Sequence, residues 1–234
     1  MSRTTQPVRE NRLLGALSGE EYERLAPHLE PVTLGLSQVL FSPDDRLQYV
    51  HFPIDSIISL LTSLEDGSGM EVGLVGREGM VGISAFLGGS ETKVATVQAA
   101  GASLRLEAGR LREEFRRGGT LQSALLRYTH ALMTQVSQSV VCNARHPVEG
   151  RLARWLCMYH DRLERDEFEL THEFMANMLG VRRPSVSEVA EKLQEMGFIR
   201  YRHGRITMLD RNGLEEFVCE CYPVVKEKFE DFLH

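Results

Sequence analysis

The sequence predicts an α+β chain with an N-terminal double-stranded β-helix (jelly-roll) domain, one long connecting helix and a C-terminal winged helix-turn-helix. Three observations carry this. Seven short β-rich runs, separated by turn signals, fill residues 32–106. An apolar repeat at steps of three and four then runs from Leu121 to Val140. Residues 171–197, THEFMANMLGVRRPSVSEVAEKLQEMG, carry helix-turn-helix spacing. The expected divisions are 12–118, 119–145 and 146–222, with 223–234 as a tail.

Residues 12–30 read as short helices, with Ser18 as N-cap and Glu21 three residues on, a capping box. The strand runs are Val32–Leu36, Val39–Phe41, Tyr49–Phe52, Ser56–Leu64, Met70–Val75, Thr92–Ala99 and Ala102–Leu106. Turn signals at 42–45, Asp66-Gly67-Ser68-Gly69, 76–79 and Gly88-Gly89 separate them, a spacing that suits a jelly-roll barrel. Residues 79–87 break the pattern and suggest a short helix. A further helix over Glu107–Arg117 ends at Gly118-Gly119.

Thr120 reads as the cap of a long helix from Leu121 to about Asn143. Its stripe is Leu121, Leu125, Tyr128, Leu132, Val136 and Val140. Such a stripe packs on the barrel or forms a dimer seam, and we expect both. Pro147 breaks this helix and starts the next, Val148–Leu163, with Leu152, Trp155, Leu156 and Tyr159 on one face.

In the helix-turn-helix, Thr171 is the expected N-cap, with Leu170 and Met175 as a hydrophobic staple. Ala176 falls where two helices touch, and Gly180 falls in the turn, where a positive φ is needed. Met175, Leu179, Val186, Val189 and Leu193 fall at core positions. Pro184 suits the first turn of the second helix, and Gly197 stops it. Two short strand patterns around Arg202-His203-Gly204 form a hairpin, the wing. Asp210–Leu233 reads as a final helical stretch interrupted at Pro223.

Composition bounds the function. The 234 residues are long enough for two domains, and 42% hydrophobic content supports real cores. No run is long and apolar enough for a membrane helix, and the polar N-terminus MSRTTQPVREN lacks an apolar signal region. Cys142, Cys157, Cys219 and Cys221 are too scattered for a disulfide framework, so a reducing, cytoplasmic setting is expected. The net charge is −6. Residues 171–211, with seven Lys/Arg and five Asp/Glu, carry +2, leaving −8 elsewhere. Groove binding needs a local basic face, not a basic protein. No nucleophile elbow, P-loop or metal-ligand triplet is present, so no enzyme is expected.

A barrel, a long helix and a winged helix-turn-helix together resemble the Crp/Fnr superfamily of bacterial transcription regulators. The stretches that carry the resemblance are VGREGMVG (75–82), EGRLARWL (149–156) and residues 171–209. The resemblance implies a homodimer whose long helices pair through the Leu121-to-Val140 stripe. It further implies a palindromic DNA operator and RNA polymerase as a partner. Arg183 matches the family's first base-reading arginine, which can fork onto a guanine. Pro184 stands where the family has Glu, and Glu188 replaces a second Arg, so the operator should differ from the family's best-known palindrome. Glu188 suits a cytosine amino group or a solvated helix face equally. Thr171, Arg182, Ser185, His203 and Arg205 fit phosphate-contact places, and Ser187 is a further candidate for base readout.

The effector pocket departs from the cyclic-nucleotide pattern. The matching positions are Gly82 and Ile83, Lys93 and Val94, and Val136 and Ser137. Ile83 cannot accept a hydrogen bond, and Lys93 offers a point charge rather than a guanidinium fork. Cyclic AMP is therefore not the expected effector; another ligand in the barrel, or none, fits the reading. The N-terminal cysteine cluster of the oxygen-sensing branch is absent, so no iron–sulfur cluster is expected, and a lone His51 does not suggest haem. Cys219 and Cys221, two apart on a predicted helix, would point to different faces and chelate poorly, so no metal is expected. The rival to a DNA-binding regulator is a ligand-binding or protein-interaction module whose winged helix no longer reads DNA.

Overall fold

A computed structural model describes residues 10–65 and 69–232. The polar stretch before Glu10, the turn signal at Asp66-Gly67-Ser68 and the last two residues, Leu233 and His234, lie outside the described residues.

Two short helices, α1 (Arg12–Gly15) and α2 (Gly19–Leu25), and a 3-10 turn, Ala26–His28, precede the barrel. Seven strands follow: β1 (Glu30–Leu34), β2 (Val39–Phe41), β3 (Tyr49–Pro53), β4 (Ile57–Ser63), β5 (Gly69–Val75), β6 (Val94–Ala99) and β7 (Gly101–Glu107). They form two antiparallel sheets, ordered β1-β7-β3 and β2-β6-β4-β5. Leu34, Phe41, Val50, Phe52, Ile58, Leu74, Val97, Leu104 and Leu106 are among the buried side chains of the core. All seven strands were legible in the sequence within two residues at most ends. The helix expected over 79–87 is only α3 (Ser84–Leu87).

α4 (Ala108–Arg117) leads into α5 (Gly119–Arg145). Thr120 is not the cap of α5: its N-cap is Gly118 at φ 83, and no side chain of its own caps it. Glu21 of α2 does this instead, accepting from Leu121 N at 3.1 Å and from the Thr120 hydroxyl. A carboxylate there also meets the positive end of the helix dipole. Ser18 caps α2 as expected, accepting from Glu21 N.

The C-terminal part comprises α6 (Val148–Leu163), β8 (Glu167–Glu169), α7 (His172–Leu179), α8 (Arg183–Glu195), β9 (Ile199–Arg202), β10 (Arg205–Met208), α9 (Arg211–Phe217) and α10 (Cys221–Asp231). The wing sheet has the order β8-β10-β9; β8 was not foreseen. The final helical stretch breaks at 218–220 rather than at Pro223, which sits inside the first turn of α10, where its missing N–H costs nothing.

Of the stripe expected both to pack on the barrel and to form a dimer seam, the packing half holds and the seam half is corrected. Leu121, Leu125, Tyr128 and Leu132 are buried in the chain's own core, and Tyr128 donates to Met80 O at 2.7 Å. Apolar repeats at three and four report burial but not the partner, and here barrel and α10 cover this face. Val136 is half-buried, and of the six only Val140 is exposed. The exposed apolar positions of α5 are Leu126, Met133 and Val140, 48%, 63% and 62% exposed, spaced seven apart, with Val141 beside them.

Candidate nucleic-acid interface and barrel pocket

The helix-turn-helix forms as its sequence requires. Thr171 Oγ1 accepts from Phe174 N at 3.1 Å and caps α7. Gly180 closes α7 at φ 62, in the left-handed region. Met175, Ala176, Leu179, Val186, Val189 and Leu193 are buried between the helices and their support. At the wing tip His203 and Gly204 both take positive φ, 51 and 76, as a tight two-residue hairpin demands.

This packing leaves the first turn of α8 outward. Arg182, its N-cap residue, and Arg183 and Glu188 are exposed, and Ser185 is half-exposed. Thr171, His203 and Arg205 are exposed as well. Arg200, Arg202 and Arg205 line one depression on the wing together with His203, Thr207 and Glu167. Arg205 pairs with Glu169 at 3.1 Å, but both are more than half exposed, so a phosphate can compete for it. Ser187 is committed differently: its hydroxyl lies 2.8 Å from His172 Nδ1 and donates to Arg183 O at 3.2 Å. It therefore ties α8 to α7. The His172 ring in turn stacks on Tyr201 of the wing, 4.0 Å between centroids. Burial, then the nearby Arg183 charge, lowers the pKa of His172, so this tie holds a neutral imidazole.

The winged domain is seated on the barrel through buried polar contacts. Glu71 of β5 accepts from Trp155 Nε1 at 2.9 Å, from Ser59 Oγ at 2.7 Å and from Gln98 Nε2. Burial pushes the Glu71 carboxyl up to about 6, against the pull of these donors. Arg151 of α6 donates to Leu179 O and to Asn143 Oδ1, linking α6 to the end of α7 and to α5. Met70 of β5 lies against Gly180 of the turn. α8 is thus carried on a body continuous with the barrel. Sequence periodicity marked Trp155 and Tyr159 as core but had no means of showing that their partners, Glu71 and the Gln98 carbonyl, lie on barrel strands.

Of the candidate pocket residues, Gly82 has φ 97 and lies against Leu47 and Val50, and Ile83 packs on the core. Lys93 and Val94, at the start of β6, are half-buried. Glu91, missed in the sequence, is buried and accepts from Ser84 Oγ. Val136 is half-buried on α5; Ser137 is exposed there and donates to Met133 O. Leu132, Gln135 and Asn143 of α5 reach β5, Gln135 donating to Leu74 O at 3.2 Å and Asn143 Nδ2 lying 2.8 Å from Met70 Sδ. His51 is buried on β3 with Nδ1 unpartnered, and burial lowers it to about 4.

The expected divergence of Cys219 and Cys221 is also corrected. Cys219 lies in the connection between α9 and α10 rather than on a helix, so the helical-face argument does not apply. It and Cys221 converge with Cys142 and His146.

Residues 150–217 match the family model of the Crp-like helix-turn-helix domain. No curated protein matches the chain by sequence. Solved structures are similar over most of the chain. FixK2 from Bradyrhizobium japonicum aligns at a TM-score of 0.70 with 14% identity, covering 82% of this chain and 98% of that one. A transcriptional regulator of the crp/fnr family from Eubacterium rectale aligns at 0.66 with 14% identity, over 87% and 96%. The c-di-GMP-responsive global regulator CLP of Xanthomonas campestris aligns at 0.62 with 16% identity, over 82% and 99%. At these identities the likeness establishes the fold. Among the described residues no helix is long and apolar enough to cross a membrane.

Proposed function

We propose that this chain, a Crp/Fnr-superfamily protein by its fold and its helix-turn-helix domain, is a sequence-specific DNA-binding transcription regulator acting as a homodimer on a palindromic operator. The observation that carries this is the outward first turn of α8, with Arg182 and Arg183 exposed beside a wing lined by Arg200, Arg202 and Arg205. A recognition helix inserts by its N-terminal residues, and backbone contacts from the wing set its register. Arg183 is the base-reading residue, with Ser185 and Glu188 next to it. Thr171, Arg182, His203 and Arg205 hold phosphates. Ser187 orients the helix through His172 instead of reading a base.

The partner copy packs against the face of Leu126, Met133 and Val140, whose spacing of seven suits a two-helix seam. The effector is not cyclic AMP. Ile83 and Val94 lack the polar groups that would hold it. Regulation acts through the seating of the winged domain. A rotation at His146-Pro147 changes the separation of two recognition helices, and it has to break the bond from Trp155 to Glu71. A ligand drives it only if it binds the two arrangements differently.

Selection of bound duplexes from a random pool tests this reading. The expected winner is an inverted repeat whose half-sites are about 34 Å apart, one DNA turn. A pool that shows no enrichment at low salt would leave the winged domain as a protein-interaction module.

A further inference from the structure

α5 carries Cys142 in its last turn, and His146 follows as its C-cap, just before the Pro147 that opens α6. On the other side of the winged domain, Cys219 lies in the α9–α10 connection and Cys221 opens α10. The fold brings these two segments together. One ligand atom from each of the four side chains lies within 4.8 Å of every other. Cys142 Sγ is 3.7 Å from Cys219 Sγ, and Cys221 Sγ is 3.6 Å from His146 Nδ1. All the thiols are free.

We propose that Cys142, His146, Cys219 and Cys221 form a Cys3His site for one tetrahedral zinc ion. Around such an ion, with Zn–S near 2.3 Å and Zn–N near 2.0–2.1 Å, sulfurs stand about 3.8 Å apart and sulfur and nitrogen about 3.6 Å apart. The Cys142–Cys219 and Cys221–His146 separations match these values, and the remaining pairs lie within 4.8 Å. A disulfide needs sulfurs at about 2.05 Å and would leave a thiol and the imidazole without a role. A multi-iron cluster attaches its ligands to different metal atoms and needs a wider ring than this one. Three thiolates and an imidazole at this spacing suit a single soft-to-borderline ion.

The surroundings are those of a metal site. His146 Nε2 lies 3.3 Å from Glu220 Oε1, so a carboxylate holds the ring N–H and turns the Nδ1 lone pair toward the sulfurs. Three thiolates and Zn2+ carry a net charge of −1. Arg154, buried and with its Nε unpartnered, contacts Ser139 one turn before Cys142 and supplies a compensating charge. Binding releases the three thiol protons to solvent. The ion ties the end of the long helix and the His146-Pro147 hinge to the far side of the winged domain. It thereby limits rotation of that domain on the barrel.

The test uses the full chain, reduced and stripped of metal under anaerobic conditions, titrated with Co2+ as the optical probe. We expect tetrahedral d–d bands and thiolate-to-metal charge transfer that saturate at one equivalent and vanish when Zn2+ is added. Cys219→Ser should weaken Co2+ binding at least tenfold. Cys157→Ser, which changes a thiol outside the cluster, should bind as the parent does. His146→Cys should keep one tetrahedral equivalent with stronger charge transfer. Circular dichroism checks that each variant is folded. The proposal is overturned if the folded parent shows no saturable tetrahedral spectrum, or if Cys219→Ser retains the parent's spectrum and affinity.

Discussion

Arg162 of α6 donates through Nε to Glu78 Oε1 at 2.9 Å, and the two side chains are only 6% and 8% exposed. The same guanidinium donates to Leu74 O at 3.2 Å, Met158 O at 2.9 Å and Gln135 Oε1 at 2.7 Å. It thus joins the winged domain, the barrel and the long helix at one point. Removing one partner of a buried pair leaves an uncompensated charge and costs about 3–5 kcal/mol, whereas removing both costs much less. Glu78→Gln should therefore destabilise the chain more than Glu78→Gln combined with Arg162→Met. Urea unfolding measures both. A larger loss in the double variant would mean that the hydrogen bonds of Arg162, not the charge pair, hold the junction.

Glu71 gives the junction a pH dependence. Its carboxyl titrates at about 6 in the folded chain against an ordinary 4.5. The folded state therefore binds this proton more readily, and the site is most stable below pH 4.5. That advantage is lost as the pH rises through 6, by about 2 kcal/mol in all. The stability of the parent relative to Glu71→Gln should fall over this window and be flat above it. Parallel stability curves from pH 4.5 to 7 would remove Glu71 as the titrating group.

On α5 two adjacent substitutions should part ways. Met133→Asp puts a charge on the exposed face and should give folded monomers by light scattering. Leu132→Asp buries a charge at a residue 4% exposed and should lower stability first. A dimer unchanged by Met133→Asp would place the two-fold contact on another surface.

Arg183 and Arg205 should differ in DNA binding. Arg183→Ala should cost about 1–3 kcal/mol on the selected operator and relax preference at one guanine per half-site. Arg205→Ala should weaken all sequences alike and reduce the salt slope by roughly 0.9 for each phosphate it no longer neutralises. Equal losses on operator and random DNA for Arg183→Ala would assign specificity to Ser185 or Glu188.

Cyclic AMP should give no heat of binding in calorimetry at micromolar to millimolar concentration. Saturable binding there, abolished in Lys93→Ala, would restore a nucleotide pocket between Gly82 and Lys93.

The helix-turn-helix and the barrel strands were determined by the sequence itself. Their signals are local: the left-handed turn needs Gly180, the cap needs Thr171, and alternating or three-and-four apolar spacing follows from backbone geometry. The exposure of the residues at the first turn of α8 and on the wing was legible for the same reason, because it follows from the phase of the helix and hairpin. Tertiary structure alone decided the rest. Periodicity says that Leu132 is buried but not by what, so the free face of α5 at Leu126, Met133 and Val140 emerged only once barrel and α10 had covered the other. Glu71 and Trp155 are 84 residues apart, as are Glu78 and Arg162. Cys142 and Cys219 are separated by 77. No local pattern couples such positions, because their proximity is set by how the winged domain seats on the barrel and the long helix, and that seating is the sum of many packing interactions rather than a property of any one segment.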